Sequence, residues 1–260
     1  MRGSRTARAL RSTAARLVLL LCLALGQAET GWAATFTVNP VQVFLSAKTR
    51  SVILTLRNVS DETLRFQLDA FAWDQDPRGE MSLQPTRDIV FFPALLKLAP
   101  GEERNIRVGA ATPPGVSEKT YRIFVEELPP PPGTVLPAGQ VRVLTKVGIP
   151  IFIEPVRPAA AAQVDDARLR GGQVSFEVRN TGTVHFIVQS VKLTGYDAAG
   201  ERVLEGAIDG WYVLPGGTRR YEVPLPAADC PKVRSLGIEV QTTRATLTER
   251  VDAPEGACTP

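Results

Sequence analysis

The chain has 260 residues, 44% of them hydrophobic, and its 30 Lys and Arg against 27 Asp and Glu give a formal charge of +3. Arg2, Arg5, Arg8, Arg11 and Arg16 all fall in the first sixteen residues with no acidic partner, so the rest is close to neutral and lacks the basic block or basic–aromatic interleaving that binds nucleic acid. One histidine and three cysteines, with no cluster at ligand spacing, give no metal site to read.

The arginines lead into an apolar run, L-V-L-L-L-C-L-A-L (17–25), and then into small residues ending at Ala33 and Ala34. That order is a secretory signal peptide over residues 1–33. Gly31 and Ala33 satisfy the small-x-small rule for cleavage after Ala33, and Gly26 with Ala28 offers cleavage after Ala28 as the alternative. The apolar run is too short to span a bilayer, and Cys22 follows three leucines where lipid attachment calls for a small residue. Export to an oxidising compartment leaves two cysteines, Cys230 and Cys258, which are expected to form a disulfide.

Beyond the leader the apolar period is two nearly everywhere. Strands are predicted over 35–44, 51–58, 64–73, 103–108, 119–128 and 141–153, then over 174–180, 185–196, 219–225 and 236–241. N-V-S-D-E-T, D-P-R-G-E, L-A-P-G-E and A-A-G-E supply turns between them. No long helix is indicated, and this spacing argues for antiparallel β-sandwiches. S-V-I-L-T-L-R-N-V-S-D-E-T-L-R-F-Q-L (51–68) repeats in outline as Q-V-S-F-E-V-R-N-T-G-T-V-H-F-I-V (173–188), and L-A-P-G-E-E-R-N-I-R-V (98–108) as L-P-G-G-T-R-R-Y-E-V (214–223), which points to two similar modules. The proline-stiffened P-V-R-P between them sets domains at 34–156 and 157–260.

Within V-R-V-L-T-K-V-G-I-P-I-F-I-E-P (141–155) the odd positions Val141, Val143, Thr145, Val147, Ile149, Ile151 and Ile153 form one β-branched face. Pro150 has no N–H to donate, which places the strand at a sheet edge. An apolar edge recruits other chains unless it is covered, and Arg142 and Lys146 on the opposite face blunt it only in part. Chemistry for catalysis is sparse. His185 opens a strand after a turn and reads as a packed or surface residue, while Glu126 and Glu127 are consecutive and point to opposite faces, the wrong arrangement for cooperating carboxylates. No enzyme activity and no cofactor are expected.

V-N-P-V-Q-V-F (38–44), the Arg-Asn ending at Asn58, V-F-F-P-A-L-L-K-L-A-P-G-E-E-R-N-I-R-V (90–108), K-T-Y-R-I-F-V-E-E-L-P-P (119–130) and I-P-I-F-I-E-P (149–155) occur in this order across the first domain. In them the chain resembles the PapD-like periplasmic chaperones of the chaperone–usher pathway, which assemble pili and other surface fibres, and resembles the archaic branch more than the best-known one. The resemblance implies an all-β fold of two immunoglobulin-like β-sandwich domains arranged as an L, located in the periplasm. It implies binding of fibre subunits by donor-strand complementation, a form of strand addition, and delivery to an outer-membrane usher. The alternative is an exported immunoglobulin-like adhesion or accessory module. The free edge could equally be capped by a second copy of the chain.

The same resemblance assigns residues. Val141, Val143, Thr145 and Val147 are expected to face the subunit groove, with Arg142 on the other face mattering much less. Arg107, Glu118 and Asp229 are expected to form an interdomain ionic lock. Gln42 and Pro150 occupy the family's two basic positions for the subunit's terminal carboxylate, so the anchor passes to Arg122, or second to Lys146. The Pro-rich stretch 129–140 is expected to be ordered by a subunit or usher.

Overall fold

The computed structural model describes residues 36–131, 142–254 and 256–258. The leader, Val141 and most of the Pro-rich stretch lie outside these residues.

In the first domain ten strands follow one another: β1 (Phe36–Asn39), β2 (Val43–Leu45), β3 (Ser51–Asn58), β4 (Leu64–Gln75), β5 (Met81–Pro85), β6 (Ile89–Phe92), β7 (Leu95–Leu98), β8 (Glu103–Ala110), β9 (Lys119–Glu127) and β10 (Lys146–Ile153). They form a four-stranded sheet, β1-β3-β8-β6, packed on a six-stranded one, β2-β10-β9-β4-β5, with β7 also paired to β4. Alternation puts Leu54, Leu56, Phe66, Leu68, Ile106, Val108, Ile123, Val125, Ile149 and Ile151 between them, all essentially buried.

The second domain contains β11 (Ala162–Arg170), β12 (Gln173–Asn180), β13 (Phe186–Tyr196), β14 (Arg202–Asp209), β15 (Tyr212–Val213), β16 (Thr218–Pro224), β17 (Ser235–Thr242) and β18 (Thr246–Asp252), with a 3-10 turn at Cys230–Lys232. A three-stranded sheet, β11-β12-β16, packs on β14-β13-β17-β18, with β15 paired to β13. Its core is built on Val174, Phe176, Val178, Phe186, Val191, Leu236, Ile238 and Val240. Cys230 and Cys258 are bonded, with Cα atoms 5.7 Å apart. Strands β5, β6, β7, β11, β14, β15 and β18 go beyond those read from the sequence. Most lie at edges or half in solvent, where the alternation that marks a strand is weak.

The repeated Arg-Asn has a definite role. Asn58 ends β3 fully buried; its side-chain amide donates to the carbonyls of Glu62 (2.7 Å), Leu98 and Ala99 (3.1 Å each), and its Oδ1 accepts the Ser60 N–H. Asn180 ends β12 and does the same work, donating to Val184 and Val213 carbonyls and accepting the Gly182 N–H. Each asparagine backbone also docks on the matching Pro-Gly turn, through Gly101 N–H to Asn58 O and Gly216 N–H to Asn180 O, both 3.1 Å. Both glycines have φ of +73°, a conformation that a side chain strains. The two domains are thus closed by the same polar device.

Candidate functional site

The edge inferred from Pro150 is real, but only half of it is free. Along its whole length β10 pairs antiparallel with β9, Lys146 opposite Glu126 through Ile153 opposite Lys119. On its other side β2 runs parallel to it for three residues, Val43 to Ile151 through Leu45 to Ile153. Among the described residues no strand covers Lys146 to Pro150 on that side. The Glu154 N–H donates to Leu45 O at 2.8 Å on β2. By two-residue alternation, Pro150 turns its missing N–H toward this same side, where no ladder bond is lost.

The odd face changes role along its length. Ile149, Ile151 and Ile153 are buried in the domain's own core, and Val147 is packed against it. This corrects the expectation that Val147 faces outward to a partner: the β-branched stripe continues into its own sandwich. Thr145 is half-buried, whereas Val143 is 75% exposed and Leu144, not singled out from the sequence, is 42% exposed.

The even face of β10 continues across the outer face of the sheet in rows. Pro150 lies opposite Arg122, and Arg122 opposite Phe71. Arg122 is 7% exposed. Its guanidinium lies 4.2 Å over the Trp73 ring, and it forms no ion pair among the described residues. Arg122 Nε and Trp73 Nε1 are both buried without an acceptor. Burial pushes the guanidinium below the ordinary arginine range, with the Tyr212 hydroxyl opposing that shift. A Cβ at Gly148 would come within 2.8 Å of the Phe124 ring and 3.4 Å of Arg122 Nη1, so glycine at this point of the open edge keeps side-chain bulk off the ring and the guanidinium.

Arg122 borders the contact between the domains. Phe152, fully buried, stacks on His185 with centroids 3.7 Å apart. Trp73 meets Tyr212 edge-on at 5.3 Å, and Leu214 completes the cluster. Gln42 donates to the Tyr212 hydroxyl, which gives a role to the residue found at one of the family's basic positions. Burial raises the Tyr212 hydroxyl, against the effects of Gln42 and Arg122.

The expected ionic lock is not assembled. Glu118 does sit at the interdomain contact, but its Oε2 accepts the His185 backbone N–H (2.8 Å) and faces His185 Nδ1 (2.7 Å). Arg107 is on the outward face of β8, donating to Ser51 Oγ, and Asp229 pairs with Lys232 three residues on. Both are held on other surfaces by their strand or turn. Lys146 is likewise engaged, 2.7 Å from Glu126 and 51% exposed, which makes it a poor reserve for a buried carboxylate. His185, Phe152 and Tyr212 were missed because each looks like ordinary strand content; only their shared position at an elbow reveals them.

Among the described residues no group of acidic, histidine or cysteine side chains could hold a metal, and no helix is long and apolar enough to cross a membrane.

Two immunoglobulin-like domains are thus joined at an aromatic elbow, with an open strand edge beside a buried cation. Residues 35–159 match the pili and flagellar-assembly chaperone family at its PapD N-terminal domain, so the likeness to the PapD-like pilus chaperones is carried by the first domain. Similar solved structures include the CsuC–CsuE chaperone–tip adhesion subunit pre-assembly complex from the archaic chaperone–usher Csu pili of Acinetobacter baumannii, 18% identical over 84% of this chain and 98% of that one, with a TM-score of 0.57. The class 5 fimbriae chaperone CfaA is 14% identical over 83% of this chain and 98% of its own, TM-score 0.54. The Pseudomonas aeruginosa CupB2 chaperone is 18% identical over 83% and 99%, TM-score 0.50. At these identities the likeness is one of fold. No curated protein matches the chain.

Proposed function

We propose that the chain, exported through the signal peptide at 1–33, is a periplasmic chaperone that lends the open edge of β10 to an incomplete fibre subunit and delivers that subunit to an outer-membrane usher. The observation that carries this reading is the uncovered stretch of β10 running on from exposed Val143 and Leu144 and ending beside the ion-unpaired Arg122. Backbone groups on such an edge give affinity, and alternate side chains give selectivity.

Arg122 anchors the subunit's terminal carboxylate in this scheme. A carboxylate leaving water needs charge-assisted partners, and a guanidinium fork supplies two at once. Trp73 stacks beneath the cation and holds its plane, and Gly148 keeps the approach from the edge clear. In this reading the domains run over 34–156 and 157–260, with the site beside their contact.

The test is periplasmic co-expression of the tagged chain with a fibre subunit that lacks one strand. A soluble one-to-one complex that survives purification and then binds the usher is the expected result. Loss of the subunit to proteolysis with the chain present would favour an accessory immunoglobulin-like module.

A further inference from the structure

Ahead of β10, residues 142–145 lie outside any strand, helix or turn, and both ends of this short stretch are tied down. At one end the Glu127 N–H donates to Thr145 O at 2.9 Å, while the Thr145 N–H points back to Glu127 Oε2 at 3.4 Å. At the other end Arg142 faces two carboxylates, Glu62 Oε2 at 2.7 Å and Glu127 Oε1 at 3.3 Å. Glu127 is 2% exposed, whereas Glu62 is a surface group. The Glu62 backbone is itself fixed, since its carbonyl accepts from buried Asn58.

Between these ties Val143 and Leu144 stand in solvent. Two adjacent apolar side chains on a free segment would lower their energy by folding onto the nearby sheet end, each gaining about 1.5–3 kcal/mol when fully buried. The ties hold them where they are. Arg142 thereby links the segment to a surface carboxylate and a buried one.

We propose that Arg142 is a positioning residue: bridging Glu62 and Glu127, it latches the head of the open edge into extended register on β9 and holds Val143 ready for a partner strand, with Leu144 on the opposite face. A pre-ordered edge avoids part of the entropy cost of association. The effect on partner binding rests on the strand-lending reading above, but the latch itself is a property of the free chain and is measured without any partner.

Amide hydrogen exchange over Val143–Val147 tests the latch in Arg142→Gln and, as a variant that leaves the buried carboxylate in place, in Glu62→Gln. Exchange should quicken by about tenfold in Arg142→Gln and less in Glu62→Gln, with the global unfolding midpoint within about 2 °C of the parent. Arg142→Lys, which cannot address two carboxylates as a planar fork does, should fall between parent and Arg142→Gln. A fluorescein-labelled peptide of alternating valine and threonine with a free carboxylate then reports presentation, and its affinity should drop about tenfold in Arg142→Gln. Unchanged exchange in both variants would overturn the latch. Faster exchange with undiminished peptide affinity would overturn its presenting role. A parent chain that ignores the peptide counts against strand lending, while the exchange rates still decide the latch.

Discussion

Replacing Arg122 by Met separates two effects that usually travel together. In the free chain the guanidinium is 7% exposed, and the effective penalty for taking an ion out of water is several kcal/mol. Stacking over Trp73 at 4.2 Å returns about 2 kcal/mol. The cation is then a net burden on the order of 1–3 kcal/mol, and Met keeps a flexible stem with a sulfur suited to the indole face. Arg122→Met should raise the thermal midpoint by about 2–12 °C, from the usual conversion for a chain of this size. Once a carboxylate arrives, the sign reverses: breaking a buried charge pair costs about 3–5 kcal/mol, or two to three orders of magnitude in capture. The assay pairs calorimetry of the free chain with binding of two forms of one subunit strand peptide, the first ending in a carboxylate and the second in an amide. Only the carboxylate form should lose affinity. An Arg122→Met chain that melts at least 5 °C lower, or captures both forms as the parent does, would show that the cation serves the fold and that the carboxylate is held elsewhere.

Three further outcomes are expected. Val143→Asp, at a site 75% exposed, should leave the midpoint unchanged and abolish subunit capture in co-purification. Glu118→Ala removes the acceptor of two His185 donors and should cost about 1–3 kcal/mol, visible as a lower midpoint and a changed interdomain distance in solution scattering. Thiol titration of the denatured, unreduced chain should find Cys230 and Cys258 unreactive, and reduction should cost about 3–4 kcal/mol in the chain-entropy account of a loop this long.

How much of this was legible follows from what each residue depends on. Period-two alternation depends on a strand having one wet and one dry face, so Leu54, Leu56, Ile106 and Val108 announced their strands. The partner of β10 on its far side did not announce itself: Val43–Leu45 is three residues long and pairs with Ile151–Ile153 in parallel. The β-branched stripe from Val143 to Ile153 likewise has one period throughout, yet it passes from solvent at Val143 to the domain's own core at Ile149. Periodicity identifies a face and not what lies against it. Asn58 and Asn180 were visible as a repeat, but a polar residue at a strand end reads as a turn until its buried partners are seen. Arg107 and Asp229 failed as lock residues because alignment carries over a position without the surface that would face it, whereas Glu118 found another partner in the chain's single histidine. Arg122 is buried against Trp73, a residue on another strand that its own sequence surroundings do not reveal.

The pairing of β2 with β10 also sets an order of events during synthesis. Val43 leaves the ribosome early, yet its partner Ile151 follows over a hundred residues later. Until then the strand is unclaimed and the sandwich cannot close, because contacts so far apart in sequence carry a loop-closure cost that nothing repays in advance. Folding of this domain is therefore timed by the arrival of β10, whose β2-facing edge stays open from Lys146 to Pro150. For that interval the domain is an immunoglobulin-like sheet waiting for its last strand, and it is exposed to misassembly.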